Sequence, residues 1–140
     1  MATASHPYSP AQILWPATPR GVHQARHSLD RQLTRWDMED LVPEAGLVLT
    51  ELMTNVLRHA AVAGRKTGVS ILRVPGGVRI EVHDARGRAE GVPVAREAAP
   101  QAESGRGMTV VDRLTGHRWG VTDRVGPGKV VWAECVRPGA

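Results

Sequence analysis

The sequence predicts an α+β fold, with helices packed on one face of a mostly antiparallel sheet. Three observations predict it. Two early stretches, Val22 to Trp36 and Leu41 to Val56, carry apolar residues at helical spacing. Two alternating stretches then flank Pro75-Gly76-Gly77 and read as a hairpin, not as strands joined by a crossover helix. Two more alternating stretches, HRWGVTD and KVVWAECV, follow a third helical segment and are joined through Gly126-Pro127-Gly128.

Taken in order, residues 1–10, with Pro7 and Pro10, read as a flexible arm, and 11–138 as one domain by the length prior. QILWPA reads as a short edge strand ended by Pro16. The first helix starts at Pro19, a residue suited to a first helical turn, and Val22, Ala25, Arg26, Leu29, Leu33 and Trp36 recur along it. Asp40 or Pro43 opens the second, which runs to about Ala63 on a stripe of Leu41, Ala45, Val48, Leu49, Leu52 and Val56. In the hairpin, Val69, Ile71 and Arg73 alternate before the turn and Val78, Ile80 and Val82 after it. Ala89 to Gln101 have no period and read as a loop or mobile lid. Gly105-Arg106-Gly107 then opens a helix running to about Leu114.

Composition narrows the function classes. The 41% hydrophobic and 23% charged residues suit a soluble globular chain, and no apolar run nears the ~20 residues that span a bilayer. Met1 to Pro10 have no basic region followed by an apolar core, so the sequence predicts no secretory signal and a cytoplasmic location. The single cysteine, Cys135, lies in an alternating run, which predicts a buried, inert thiol. A net charge of +4 raises nucleic-acid binding. The sixteen arginines are spread from Arg20 to Arg137, however, and Tyr8 and the four tryptophans form no stacking ladder, so no direct nucleic-acid contact is expected. His23 and His27 share a helix face but lack a nearby third ligand, which argues against zinc.

The glycine-rich stretches match no common phosphate-binding signature. Gly105-Arg106-Gly107-Met108 lacks the third glycine and preceding strand of a dinucleotide fingerprint, and Gly126-Pro127-Gly128-Lys129 lacks P-loop spacing. A glycine pair opening a helix nevertheless offers unpaired N–H groups and the positive end of the helix dipole to an anion. In LTELMTNVLRHA, Glu51 and Asn55 are four apart and share a face. At about 100° per residue that face lies roughly 100° from the apolar stripe, so the pair is expected to border the core without entering it. An amide oxygen can hold Mg²⁺ and a carboxylate can deprotonate a hydroxyl, the two tasks of phosphoryl transfer. Asp84, closing the strand Val78 to Val82, can accept a hydrogen bond from an exocyclic amine.

These residues in this order resemble the GHKL ATPase superfamily, which includes histidine kinases, gyrase, Hsp90 chaperones and the small anti-sigma factor serine kinases. The resemblance spans about Pro16 to Val136. ELMTNVLRHA is similar to the N box, IEVHDARG to the first glycine box, and ESGRGMTVVDRL with HRWGV to the second. It implies a two-layer sandwich of Bergerat type and makes 11–138 an ATP-binding domain. It further implies that Asn55 binds Mg²⁺, Glu51 is the general base, Asp84 meets the adenine amine, and Gly105, Arg106, Gly107 and Met108 border the phosphates. Arg58 is a further candidate for charge near them. The implied function is an anti-sigma factor serine/threonine protein kinase, binding a sigma factor, phosphorylating an anti-anti-sigma partner and able to pair as a homodimer. In the first glycine box the expected Asp-x-Gly-x-Gly reads Asp84-Ala85-Arg86-Gly87-Arg88, with arginine at both glycine positions and Gly87, the remaining binding candidate there, out of register. That departure supports an alternative, a noncatalytic module that sequesters a protein and has a degenerate or nucleotide-gated ATP site.

Overall fold

The computed structural model describes residues 12–60, 66–84, 103–123 and 128–139. Their elements are β1 (Ile13–Pro16), α1 (Pro19–Arg35), a short 3₁₀ turn (Glu39–Leu41), α2 (Val42–Ala60), β2 (Lys66–Val74), β3 (Gly77–Asp84), α3 (Glu103–Leu114), β4 (Trp119–Asp123) and β5 (Lys129–Val136). The strands form one sheet in the order β1-β2-β3-β5-β4, and each neighbouring pair is antiparallel. The expected α+β sandwich is therefore observed. The arm predicted for 1–10, and the loop predicted for Ala89 to Gln101, lie outside the described residues.

Local chemistry fixes the element ends. Thr18 caps α1 by accepting a hydrogen bond from the Gly21 amide at 3.0 Å, and Pro19 fills the first turn, where no donor is needed. At the far end Asp37 takes φ 58 and the Met38 amide donates to the Leu33 carbonyl at 2.8 Å, which closes the helix in a Schellman turn. Gly116, at φ 62, closes α3 in the same way, with the His117 amide donating to the Asp112 carbonyl at 2.8 Å. Pro75 and Gly76, the latter at φ 78, turn β2 into β3. The helix predicted to reach about Ala63 is described to Ala60.

The register shows why one face of the sheet is apolar. Val82 pairs with Val131, Ile80 with Ala133 and Val78 with Cys135, and Trp119 and Val121 lie on those same rungs from the other side of β5. These side chains meet Ala25, Leu29 and Leu33 of α1, Val48, Leu49, Leu52 and Met53 of α2, and Met108 and Val111 of α3 in one core. Fully burying a side chain such as Leu49 or Leu52 is worth ~1.5–3 kcal/mol relative to leaving it in water, so α2, which contributes most, anchors the helical layer. The opposite face carries Arg79, which lies 4.3 Å from the Trp132 ring centroid and bonds Glu81 at 2.8 Å and Glu134 at 3.2 Å.

Candidate functional site at one rim of the helix–sheet interface

Connectivity decides which ends meet. Five residues separate the end of α2 from Lys66, and β2 begins beside the end of β3, since Gly68 pairs with His83. The last turns of α2 therefore reach the rim where β3 ends at Asp84. The start of α2 belongs to the opposite rim, where the Cys135 thiol donates a hydrogen bond to Glu44. Helix α3 packs on α2, and its last turn is tied to the start of β4 by Trp119 Nε1, which donates to Asp112 Oδ1 at 2.8 Å. Because β4 then runs to Asp123, which pairs with Lys129, α3 points its first turn back toward the Asp84 rim. The second half of α2, the end of β3 and the opening of α3 thus converge, and they carry Glu51, Asn55, Asp84 and Gly105-Arg106-Gly107.

Within this rim the two α2 residues have different surroundings. Glu51 is half-buried, whereas Asn55 is 5% exposed. The Asn55 Oδ1 is buried and has no hydrogen-bond partner among the described residues. An unsatisfied buried oxygen costs stability, so its survival points to a ligand that completes it. A hard cation such as Mg²⁺ takes oxygen donors, and Asn55 fits that requirement.

The expectation that the Glu51–Asn55 face only borders the core holds for Glu51 and is corrected for Asn55. On a helical wheel α2 shows one apolar stripe, the one facing the sheet. In the fold α3 packs along the flank of α2, which buries Met53 and Asn55 as well. The glycines of the second box also sit differently. Helix α3 begins at Glu103, so Gly105 and Gly107 lie within its first two turns and not ahead of it. Packing by Met108 and Val111, 1% and 0% exposed, offsets the entropy cost of two helical glycines. Met108 is thus a core residue by its side chain. Arg58 is exposed, one turn beyond Asn55. Gly87 and both arginines of the first glycine box lie outside the described residues.

Sequence reading missed Lys129. This lysine is 0% exposed and pairs in register with both Asp84 and Asp123. The stretch Gly126-Pro127-Gly128-Lys129 fails as a P-loop, and only long-range strand pairing brings its lysine to the rim. The expectation for Cys135 stands: burial first, and then the Glu44 charge, push its thiol up to about 12, so it is protonated and inert at neutral pH.

The histidine kinase-like ATPase domain model matches residues 15–134. The chain belongs to this family. No curated protein sequence matches significantly. Among solved structures, a chain of the SiaB–SiaC complex from Pseudomonas aeruginosa superposes with a TM-score of 0.60. At 12% identity it covers 91% of this chain and 89% of its own, a likeness of fold. Members of the family share a histidine kinase-like ATPase domain.

Proposed function

We propose that this family member is a cytoplasmic ATP-binding regulator that binds a sigma factor and phosphorylates a serine or threonine of an anti-anti-sigma partner. The observation that carries the nucleotide reading is the buried, unpartnered Asn55 Oδ1, one helical turn from Glu51 on the rim where Asp84 and the α3 opening meet. Asn55 would hold Mg²⁺, whose charge would screen the phosphates. Asp84 accepts from the adenine amine, and the start of α3, which carries Gly105, Arg106 and Gly107, directs N–H groups and positive charge to the phosphates. Glu51 takes the proton of the attacking hydroxyl as its oxygen bonds the γ-phosphorus and the bond to the ADP oxygen breaks. The similarity to a chain from a two-protein complex supports a protein as the partner.

Titration calorimetry with ATP, with and without Mg²⁺, tests the reading. Binding that tightens with Mg²⁺ and loses this dependence in Asn55→Ala is the expected result. A second reading, a noncatalytic sequestering module, is favoured by Arg86 and Arg88 at the glycine positions of the first box. Transfer of ³²P from ATP to the partner protein separates the two. Transfer abolished in Glu51→Ala supports the kinase; partner binding without transfer, and indifferent to Glu51→Ala, supports the module.

A further inference from the structure

The sheet edge formed by β1 is open. Among the described strands β1 pairs only with β2, so one side of its backbone has no strand to bond. Ile13 and Leu14, 50% and 58% exposed, are consecutive and stand on opposite faces of that edge. Exposed edges are usually guarded by charge, and this strand carries none, only Pro16 at its end. On the helix face lies a groove of about 210 Å³, walled by Ile13 and Trp15 of β1 and by Ser28 and Gln32 of α1, with Val69 and Ile71 of β2 as its floor. One end is shut where α1 meets β1, since a Cβ at Gly21 would overlap the Pro16 carbonyl. None of these residues belongs to the rim that holds Asn55.

The border of the groove is cationic. Arg31 lies three residues from Ser28 and Arg35 three from Gln32, so both exposed arginines flank the α1 wall. Arg73 follows Val69 and Ile71 on the same face of β2, and its guanidinium lies 5.5 Å from the Trp36 ring centroid, which brings a third cation to the end where Arg35 sits. The elements that form the groove offer nothing to offset them. β1 and β2 hold no acid, and the one acid of α1, Asp30, is a turn from Arg26, which bonds Thr50 of α2 on the opposite flank. An apolar slot with cationic sides beside an unpaired strand suits an extended chain that carries both apolar and acidic residues. A second copy of this protein would set two arginine rows against each other, and a nucleic acid would meet the cations but leave the apolar slot unfilled. We propose that this groove docks an acidic, apolar segment of a partner protein, added as a strand along β1. Apolar side chains on one face of the segment enter the slot, and the carboxylates before and after them meet Arg31, Arg35 and Arg73.

The test is ¹⁵N NMR titration of the whole chain with two synthetic peptides, one a Val-Ile-Val core flanked by glutamates, the other the same core flanked by lysines. The glutamate peptide should shift the amides of Ile13, Leu14, Trp15, Gln32, Val69 and Ile71 and slow hydrogen exchange in β1, whereas the lysine peptide should not bind. Arg31→Glu combined with Arg35→Glu should weaken the glutamate peptide at least about ten-fold, with the melting temperature unchanged because both side chains are exposed. No shift at millimolar glutamate peptide, shifts confined to other surfaces, or equal affinity in the charge-reversed variant overturns the proposal. Tighter binding of a single-stranded oligonucleotide of equal charge overturns it in favour of a nucleic-acid surface. A dimer in sedimentation that Ile13→Lys dissociates overturns it in favour of a second copy. ATP titration of the charge-reversed variant should match the wild type, so this proposal and the nucleotide reading fail separately.

Discussion

The two rims of the helix–sheet interface are built differently. At the rim where α2 starts, polar groups meet partners. Glu44 accepts from Cys135, and Arg137 forks onto Asp40 at 2.7 and 2.9 Å while donating to the Asp37 carbonyl at 3.2 Å. At the rim where α2 ends, Asn55 buries an oxygen with no partner among the described residues, and Lys129 is sealed between two aspartate positions. Both rims belong to one core and are covered by the same helix. Burial alone therefore does not explain the contrast; the nucleotide proposed for the second rim would.

Removing the proposed base from the open rim has the largest expected effect. Glu51→Ala should lower phosphoryl transfer by ~10²–10⁴, the usual contribution of a positioned general base, while thermal unfolding shifts little. Loss of activity together with collapse of the melting transition would instead make Glu51 part of the scaffold. The closed rim should break the other way. A Cβ at Gly77 would overlap the Cys135 carbonyl and the Val136 Cα, both backbone atoms that cannot swing aside. Gly77→Ala should cost about 1–3 kcal/mol in urea titration, as overpacking usually does, with ATP affinity unchanged at saturating folded protein.

Replacing the unsatisfied amide tests the contrast most directly. Asn55→Leu removes a buried acceptor and substitutes an apolar group of similar size. It should stabilise the protein by ~0.5–2 kcal/mol and abolish Mg²⁺-dependent nucleotide binding. A destabilised variant would mean that Asn55 is satisfied in the folded protein and that the rim is not waiting for a ligand.

Much of this was legible in the sequence, and the exceptions share a cause. The two long helices, the hairpin and its Pro-Gly turn, and Asp84 at a strand end follow from local periodicity and turn chemistry. Thr18 is readable too, a threonine directly before a proline-started helix. Burial of Asn55 and Lys129 was not legible. Each depends on an element distant in sequence: α3 on the flank of α2 in one case, and pairing of β5 with both β3 and β4 in the other. Lysine is among the residue types least often fully buried, so local reasoning places it outside. The fold was visible because it is written in short-range patterns, whereas the site is assembled from ends.

The smallest effects concern pH, and here the closed rim divides into two groups of opposite sign. Burial first, opposed by the Cys135 hydrogen bond, raises the Glu44 carboxyl above its ordinary range. Its folded form thus favours the proton. That contribution is present at low pH and is lost as pH rises through the raised value. The Arg137 hydrogen bond holds Asp40 below the ordinary carboxylate range, so its contribution is present above that range and is lost as pH falls through the lowered value. Glu44→Gln should therefore flatten the decline in stability above the carboxylate range, and Asp40→Asn should flatten the decline below it. Urea midpoints measured from strongly acid to neutral pH will separate the two. If both variants changed the profile on the same side, the rim would be one coupled cluster and not two independent pairs, and the sealing of that end would rest on α2 packing alone.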